Sequence, residues 1–368
     1  MVESIHRPTK LIIDLQAIKT NIQHELQANP DKDIFVAVKA NGYGHGAVET
    51  AKAALEAGVT GLCVATLDEG IELREQGITA PILLLGLLSV ELVGLAQHYH
   101  MAVPVSTCEW LQQMPIYLNH EEAPLSIHLA VDTGMGRIGF TDEGEIVRAV
   151  QLLEQTENVV WEGIFTHFAT ADQAESSYWE KQNHRFQTVI AQLPYLPKYV
   201  HISNSATSLW HENLGNVIRM GIAMYGLNPS GTELTTPYPL APALSLVSEL
   251  VQVKKVAPGE GIGYGMTYVT TEEEWIGTVP IGYADGYMRC MQGFYVLVEG
   301  QRCEIVGRVC MDQLMIRLPQ AFPVGSKVTL IGQNQGAEIT MQAVADHAQT
   351  IHYEISCLFS QRIPREYI

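Results

Sequence analysis

Eight short apolar runs, Ile34–Val38, Gly61–Ala65, Ile82–Leu85, Ala102–Val105, Ser126–Val131, Val160–Thr166, Tyr199–Ile202 and Asn216–Arg219, recur along the chain with little polar alternation. Strands that are apolar on both faces belong in a parallel sheet covered on both sides. Helix-period segments separate most of the runs: Ala47–Ala57, Leu67–Gln76, Val90–Gln97, Glu143–Glu154 and Tyr178–Gln192. Ahead of them, Asp14 can cap a helix from Leu15 to about Gln27 with Ile18, Ile22 and Leu26 on one face. Eight strand–helix alternations imply an α/β fold of the (β/α)8 TIM-barrel type. One large irregular α/β domain is the alternative.

Beyond Thr236-Pro237-Tyr238-Pro239-Leu240-Ala241-Pro242 the pattern changes to β-branched runs split by Pro-Gly and Gly-rich turns, at Leu246–Val256, Trp275–Pro280, Phe294–Val298 and Lys327–Ile331. This reads as a C-terminal, mostly β second domain. The expected division is a barrel over residues 1–240 and a β-rich domain over 241–368, with packing of the first ten or so residues on the β domain left open. Basic residues number 22 against 40 acidic ones, and a formal charge of −18 repels a phosphate backbone, so nucleic-acid binding is not expected. No apolar run approaches the roughly 18 residues of a membrane helix. The six cysteines form no C-x-x-C pair, so neither a metal site nor a disulfide framework is indicated, and the chain reads as a reduced, cytoplasmic protein.

Active sites of such barrels lie at the C-terminal ends of the strands. Lys39 ends the first run and precedes Ala40-Asn41-Gly42-Tyr43-Gly44-His45-Gly46, whose glycines let backbone approach a ligand. A lysine facing an apolar barrel mouth has its pKa lowered, as imine formation requires, although most lysines are surface residues. The sixth run ends at His167, the seventh carries His201 and then Ser205, and the eighth ends at Arg219 followed by Gly221 and Ile222. Loops after strands seven and eight commonly hold a phosphate, and Ser205 with Gly221 and Ile222 fits that use. Imine chemistry beside a phosphate cradle suggests pyridoxal phosphate, or a phosphosugar aldolase.

Nine blocks in order extend the reading. They are Val38–Gly46, Asp132-Thr133-Gly134-Met135-Gly136-Arg137-Ile138-Gly139, Thr166–Asp172, His201–Ala206, Arg219–Gly226, Gly263-Tyr264-Gly265, Gly282–Tyr287, Val309-Cys310-Met311-Asp312-Gln313 and Tyr353-Glu354-Ile355. With them the chain resembles, over essentially its full length, the pyridoxal-phosphate-dependent alanine racemases. The resemblance implies a head-to-tail homodimer whose active sites are shared between chains. It implies Lys39 as the imine-forming lysine and one base, and Tyr264 of the partner subunit as the other. It assigns the cofactor phosphate to Tyr43, Ser205, Gly221, Ile222 and Tyr353, the pyridine nitrogen to Arg219, and the substrate carboxylate to Arg137 and the backbone N–H of Met311 of the partner subunit. His167 and Arg219 then assist the tyrosine, His201 and Asp312 are supporting residues, and Tyr283 with Tyr353 narrows the entrance.

The expected activity is interconversion of L- and D-alanine, which would supply D-alanine for peptidoglycan. The alternatives are a serine or broad-specificity racemase, a related decarboxylase, or a non-catalytic pyridoxal-phosphate carrier. One position departs from the family pattern. Many members carry, two residues before the Asp-Thr-Gly aspartate, a carbamylated lysine that orients the arginine; here that position is Ala130. Chloride, or water, is expected near Arg137 and Ala130 in its place. Three weaker signals carry little. Asp132-Thr133-Gly134 occurs once, whereas an aspartic protease needs two; Gly259–Gly265 follows Pro258 in a β-rich stretch and reads as a turn; and His98-Tyr99-His100 lacks a third ligand nearby.

Overall fold

The computed structural model describes residues 2–368, which separate into two compact units. One comprises Gln16–Gly42 and Ala47–Pro242; the other comprises the N-terminal stretch up to Leu15, Tyr43–Gly46 and Ala243–Ile368.

The first unit is a barrel. Its strands are β1 (Asp33–Ala37), β2 (Gly61–Val64), β3 (Ile82–Leu84), β4 (Met101–Val105), β5 (Leu125–Ala130), β6 (Val159–Phe165), β7 (Tyr199–His201) and β8 (Val217–Met220). Each pairs in parallel with its sequence neighbour from β1 to β7, and β8 returns to pair in parallel with β1. An isolated bridge between Ser203 and Ile218 narrows the remaining gap, so the barrel is nearly closed. Ile34, Leu62, Leu83, Val103, Ile127, Ile164 and Ile218 are all fully buried, as strands covered on both faces require.

The helices follow their local signals. Thr66 accepts from the Glu69 N–H in a capping box that starts Leu67–Glu75, and Asp142 caps Glu143–Gln155. Helix Leu15–Ala28 buries Ile18 and Ile22, yet Leu26 is only half-buried and the charged Glu25 is fully buried instead. Its carboxylate accepts from Tyr238, Ser208 and Asn29, and burial raises its pKa.

In the second unit, one sheet runs in the order Gln301–Glu304, Tyr295–Val298, Lys327–Asn334, Leu244–Glu249, Lys10–Ile13, Arg365–Tyr367. Lys10–Ile13 is therefore an interior strand, antiparallel to Leu244–Glu249 and parallel to Arg365–Tyr367. A second sheet joins Gln252–Val256, Glu274–Val279 and Leu314–Leu318. The apolar run Leu246–Val256 is thus two strands in two sheets, broken around Leu250 and Val251. The stretch Gly259–Gly265 is a turn, as its composition suggests: Gly261–Ile262 pairs with Tyr268–Val269 and carries Tyr264 at the tip. Helices Met341–Ala348 and His352–Leu358 close the unit.

Candidate active site

At the barrel mouth the chain leaves β1 and turns left-handed. Ala40, Asn41 and Gly42 adopt φ of 52°, 53° and 61°, and Tyr43 follows at 51°. For residues with a β-carbon this costs roughly 1–2 kcal/mol each. Glycine alone, the expectation from sequence, does not account for it. Two side chains hold the turn. Glu69 Oε1 accepts from the Ala40 N–H at 2.7 Å while its Oε2 accepts from Ala65 at 2.7 Å, and Asn41 Oδ1 accepts from the Ala47 N–H at 3.0 Å. The Tyr225 hydroxyl donates to the Ala37 carbonyl at 2.9 Å, tying the loop after β8 to the end of β1 just before Lys39.

Arg219, on β8, is 5% exposed. Its Nη1 donates to His201 Nδ1 at 2.8 Å and to the His201 carbonyl at 2.7 Å; its Nη2 donates to the Thr166 carbonyl at 2.8 Å and to His167 Nδ1 at 3.3 Å. All four partners are uncharged. Burial lowers the guanidinium to about 10, still a cation at neutral pH. Burial, then the positive charges of Arg219, Arg137 and Lys39, lower His167 to about 3, so His167 lies within electrostatic reach of three other expected site residues. A buried cation whose protein partners are all neutral fits a ligand that brings acceptors and negative charge.

The loops after β7 and β8 meet at Ser205. Asn204 caps the short helix Ser205–Trp210, and the buried Ser205 hydroxyl accepts from the Gly221 N–H at 2.8 Å. Ile222 opens the next 3-10 turn, and the Ala223 N–H also points at the Ser205 hydroxyl at 3.4 Å. Asp132 Oδ1 accepts from the N–H groups of Gly134 and Gly136, shaping the loop that carries Arg137. Arg137 is exposed and has no carboxylate at ion-pair distance among the described residues; Ala130 is buried. Sequence reading missed the fully buried Gln182, which donates to the His167 carbonyl at 3.0 Å and accepts from the Ala169 N–H at 2.9 Å, fixing the loop after β6.

The second unit carries the remaining expected residues. Tyr43 lies beside Tyr353, with ring centroids 6.4 Å apart, and Arg365 holds this segment by donating to the Gly44 carbonyl at 2.8 Å. Tyr264 is 69% exposed, Met311 52% and Tyr283 43%. Tyr283 and Ala284 donate to the carbonyls of Cys310 and Met311, joining those two loops. Behind them runs a charge ladder that sequence reading missed. Arg362 Nη1 meets Asp312 at 2.6 Å and its Nε lies 3.5 Å from the fully buried Asp285, which Arg7 clamps with two bonds of 2.7 and 2.9 Å. Bidentate arginine pairs fix geometry well, so Asp312 stands on a rigid support.

The buried imidazoles have a consequence for stability. Burial holds His201 well below the ordinary histidine value, and likewise lowers His128. The unfolded chain takes up protons at these sites near pH 6.5, and the native chain takes up fewer. The unfolding free energy should therefore fall as pH drops below about 6.5, by about 1.4 kcal/mol per pH unit for each such histidine. Urea unfolding of the cofactor-free protein between about pH 7 and about pH 5 reads this directly, and a flat profile would contradict it.

The family model "Alanine racemase, N-terminal domain" matches residues 13–229, and "Alanine racemase, C-terminal domain" matches residues 243–367. The chain is 53% identical over 371 residues to an alanine racemase of Levilactobacillus brevis, with 100% of both chains covered. The solved alanine racemase from E. faecalis is 59% identical and superposes with a TM-score of 0.98 over 100% of both chains. A histidine racemase from Leuconostoc mesenteroides subsp. sake is 33% identical, with a TM-score of 0.95 over 100% of this chain and 99% of that one. With both domains matched and relatives of this identity end to end, the chain belongs to the alanine racemase family, whose members are pyridoxal-phosphate-dependent racemases.

Proposed function

We propose that this chain interconverts L-alanine and D-alanine, with pyridoxal phosphate at the barrel mouth and in a homodimer whose sites are shared between subunits. The observation that carries the reading is Arg219: a buried cation with only neutral protein partners, next to two uncharged imidazoles, one of which, His167, also feels the charge of Lys39. The family membership and the exposure of Tyr264, Met311 and Tyr283 in the single chain support it further. When bound, pyridoxal phosphate supplies the electron withdrawal that acidifies the α-hydrogen of an amino acid.

The chain's own residues then divide the work. Lys39 holds the aldehyde and acts as a base on one face, and Tyr264 of the partner subunit acts on the other, because inversion needs a proton removed from one face and another delivered to the opposite one. A tyrosine with its ordinary pKa of about 10 is a poor base and needs a hydrogen-bond donor. His167 can be that donor: Arg219 donates to its Nδ1, so a neutral His167 carries its proton on Nε2. Arg219 would hold the cofactor's ring nitrogen by a hydrogen bond while keeping its own proton. Ser205, the N–H groups of Gly221 and Ile222, Tyr43 and Tyr353 hold the phosphate. Arg137 and the N–H of Met311 of the partner subunit hold the substrate carboxylate, with Asp312 supporting that loop and His201 supporting Arg219.

Tyr353 and Tyr283 restrict the entrance to a small side chain, which favours alanine over serine. The fold alone does not fix the substrate, since a histidine racemase shares it. Comparing kcat/KM for L-alanine, L-serine and L-histidine in the loaded protein tests this, and a preference for serine or histidine would overturn it. D-alanine made in the cytoplasm would enter peptidoglycan synthesis. No helix among the described residues is long and apolar enough to cross a membrane.

Ala130 leaves Arg137 without an anionic partner, and we assign that place to chloride. Turnover should rise severalfold when chloride replaces a bulky organic anion at constant ionic strength, with an accompanying fall in KM for alanine. Identical kinetics in the two salts would remove the chloride.

A further inference from the structure

A line of polar side chains crosses the barrel interior from Arg219 away from the groups assigned to the reaction. His201 Nδ1 lies 2.8 Å from Arg219 Nη1; His201 Nε2 lies 2.8 Å from His128 Nδ1; and His128 Nε2 lies 3.5 Å from Glu162 Oε2. His201 and His128 are each 1% exposed, while the Glu162 side chain is 22% exposed. Neither His128 nor Glu162 belongs to any sequence block that pointed to the site.

The two ends determine the direction of every hydrogen bond. Arginine has donors only, so His201 Nδ1 must present a lone pair to Arg219. A neutral His201 therefore carries its hydrogen on Nε2 and donates it to His128 Nδ1. That nitrogen too must be bare, which puts the His128 hydrogen on Nε2, facing a carboxylate that can only accept. The final distance is longer than an ordinary hydrogen bond and is an electrostatic contact. Burial keeps both rings neutral, and His128 holds the Glu162 carboxyl below its usual range.

The backbone is shaped around this line. The register of β5 against β6 shifts between Ile127 and His128: Ile127 pairs with Trp161 but His128 with Gly163, leaving Glu162 as the extra residue of a bulge. Bulges re-aim side chains in this way. A β-carbon on Gly163 would lie 2.2 Å from His128 Nδ1, so glycine makes the room. The rings are held on their faces: Phe165 stacks on His201 at 5.0 Å and 14°, and Tyr199 on His128 at 6.1 Å and 28°. The charged groups that act on the inner pair are Arg219 at one end, and Glu162 and Lys198 at the other.

We propose that His128 and Glu162 are positioning residues for Arg219, and that the one-way line from guanidinium to carboxylate locks His201 and His128 in the Nε2–H tautomer and so fixes where the guanidinium points. Reversal anywhere along the line would set two N–H groups against each other, which makes the tautomer of each ring a property of the whole chain of contacts. The lone pair of His201 is one of the acceptors that hold Arg219 at the barrel mouth, beside two carbonyls and His167. Losing the acceptor at His128 leaves a buried His201 N–H unmatched and loosens that arrangement.

Nitrogen NMR of protein labelled at histidine, with and without pyridoxal phosphate, reads the tautomers themselves. At neutral pH both rings should be protonated on Nε2 and bare on Nδ1. A proton on Nδ1 of either ring, or a charged ring, overturns the proposal whatever the protein racemises. The kinetic arm rests on the racemase reading and uses two variants. His128→Gln keeps an acceptor toward His201 and a donor toward Glu162, and should stay within about threefold of the parent; His128→Leu keeps the bulk alone and should lose about tenfold or more in kcat with KM little changed. Glu162→Leu, at the half-buried end of the line, covers the case in which His128→Leu does not fold, and should lower kcat by about threefold or more. Equal loss in the Gln and Leu variants, or unchanged kcat in both leucine variants, overturns the proposal. Racemisation by the parent protein is measured alongside, so failure of the function and failure of the line are told apart.

Discussion

Replacing Tyr264 by phenylalanine should lower alanine racemisation by about 10²–10⁴-fold while leaving much of the exchange of the α-hydrogen of one enantiomer with solvent. Two bases on opposite faces make this asymmetry compulsory. On the proposed reading the face served by Lys39 would keep its base, so one enantiomer should still give up its α-proton and recover it on the same side. The other enantiomer loses its acceptor. The phenol is also 69% exposed in the single chain, so its removal leaves no cavity in the core of its own subunit, and the variant should unfold at the parent's temperature. Loss of exchange from both enantiomers to the same degree would instead indicate a single base, or a structural part for the tyrosine.

Mixing two inactive variants should restore activity if the sites are shared. On the proposed reading, Lys39→Ala and Tyr264→Phe should each disable both sites of their own homodimer. A mixed dimer contains one site with both defects and one with neither, because an intact Lys39 then faces an intact Tyr264 of the partner subunit. Random reassortment of equal amounts makes about half of the dimers mixed, each with one good site, for a recovery of about a quarter of the parent activity. Recovery should follow subunit exchange and appear only after the chains are dissociated and rejoined or coexpressed. If each chain built a whole site alone, no mixture would recover anything.

The barrel was legible because its signals are local. A strand buried on both faces reads as an uninterrupted apolar run, and all eight were placed to within a residue or two of where they lie, with Lys39 and Arg219 at or beside strand ends. Other features depend on distant partners. Leu246–Val256 reads as one run, but Leu250 and Val251 redirect the chain into a second sheet. The left-handed turn at Ala40–Tyr43 is invisible in residues that normally avoid it, since Glu69, twenty-nine residues from Ala40, helps hold it. Glu69 is at the same time half of the capping box with Thr66. His128, Glu162 and Gln182 sit within ordinary strand or helix patterns, and only the curvature of the barrel brings them to Arg219 and the loop behind it. Arg7 meets Asp285 across 278 residues, most of the length of the chain, and Arg362 joins them from near the C-terminal end, pairings with no local trace.

The most direct test of the central claim is incubation of the purified protein with L-alanine and pyridoxal phosphate in heavy water, with chiral separation and mass analysis of the alanine. D-alanine carrying deuterium at the α-carbon is expected, approaching equal amounts of the two enantiomers. Recovery of L-alanine without D-alanine and without α-deuterium would contradict it, and deuterium in L-alanine alone would mean that one face works while inversion fails.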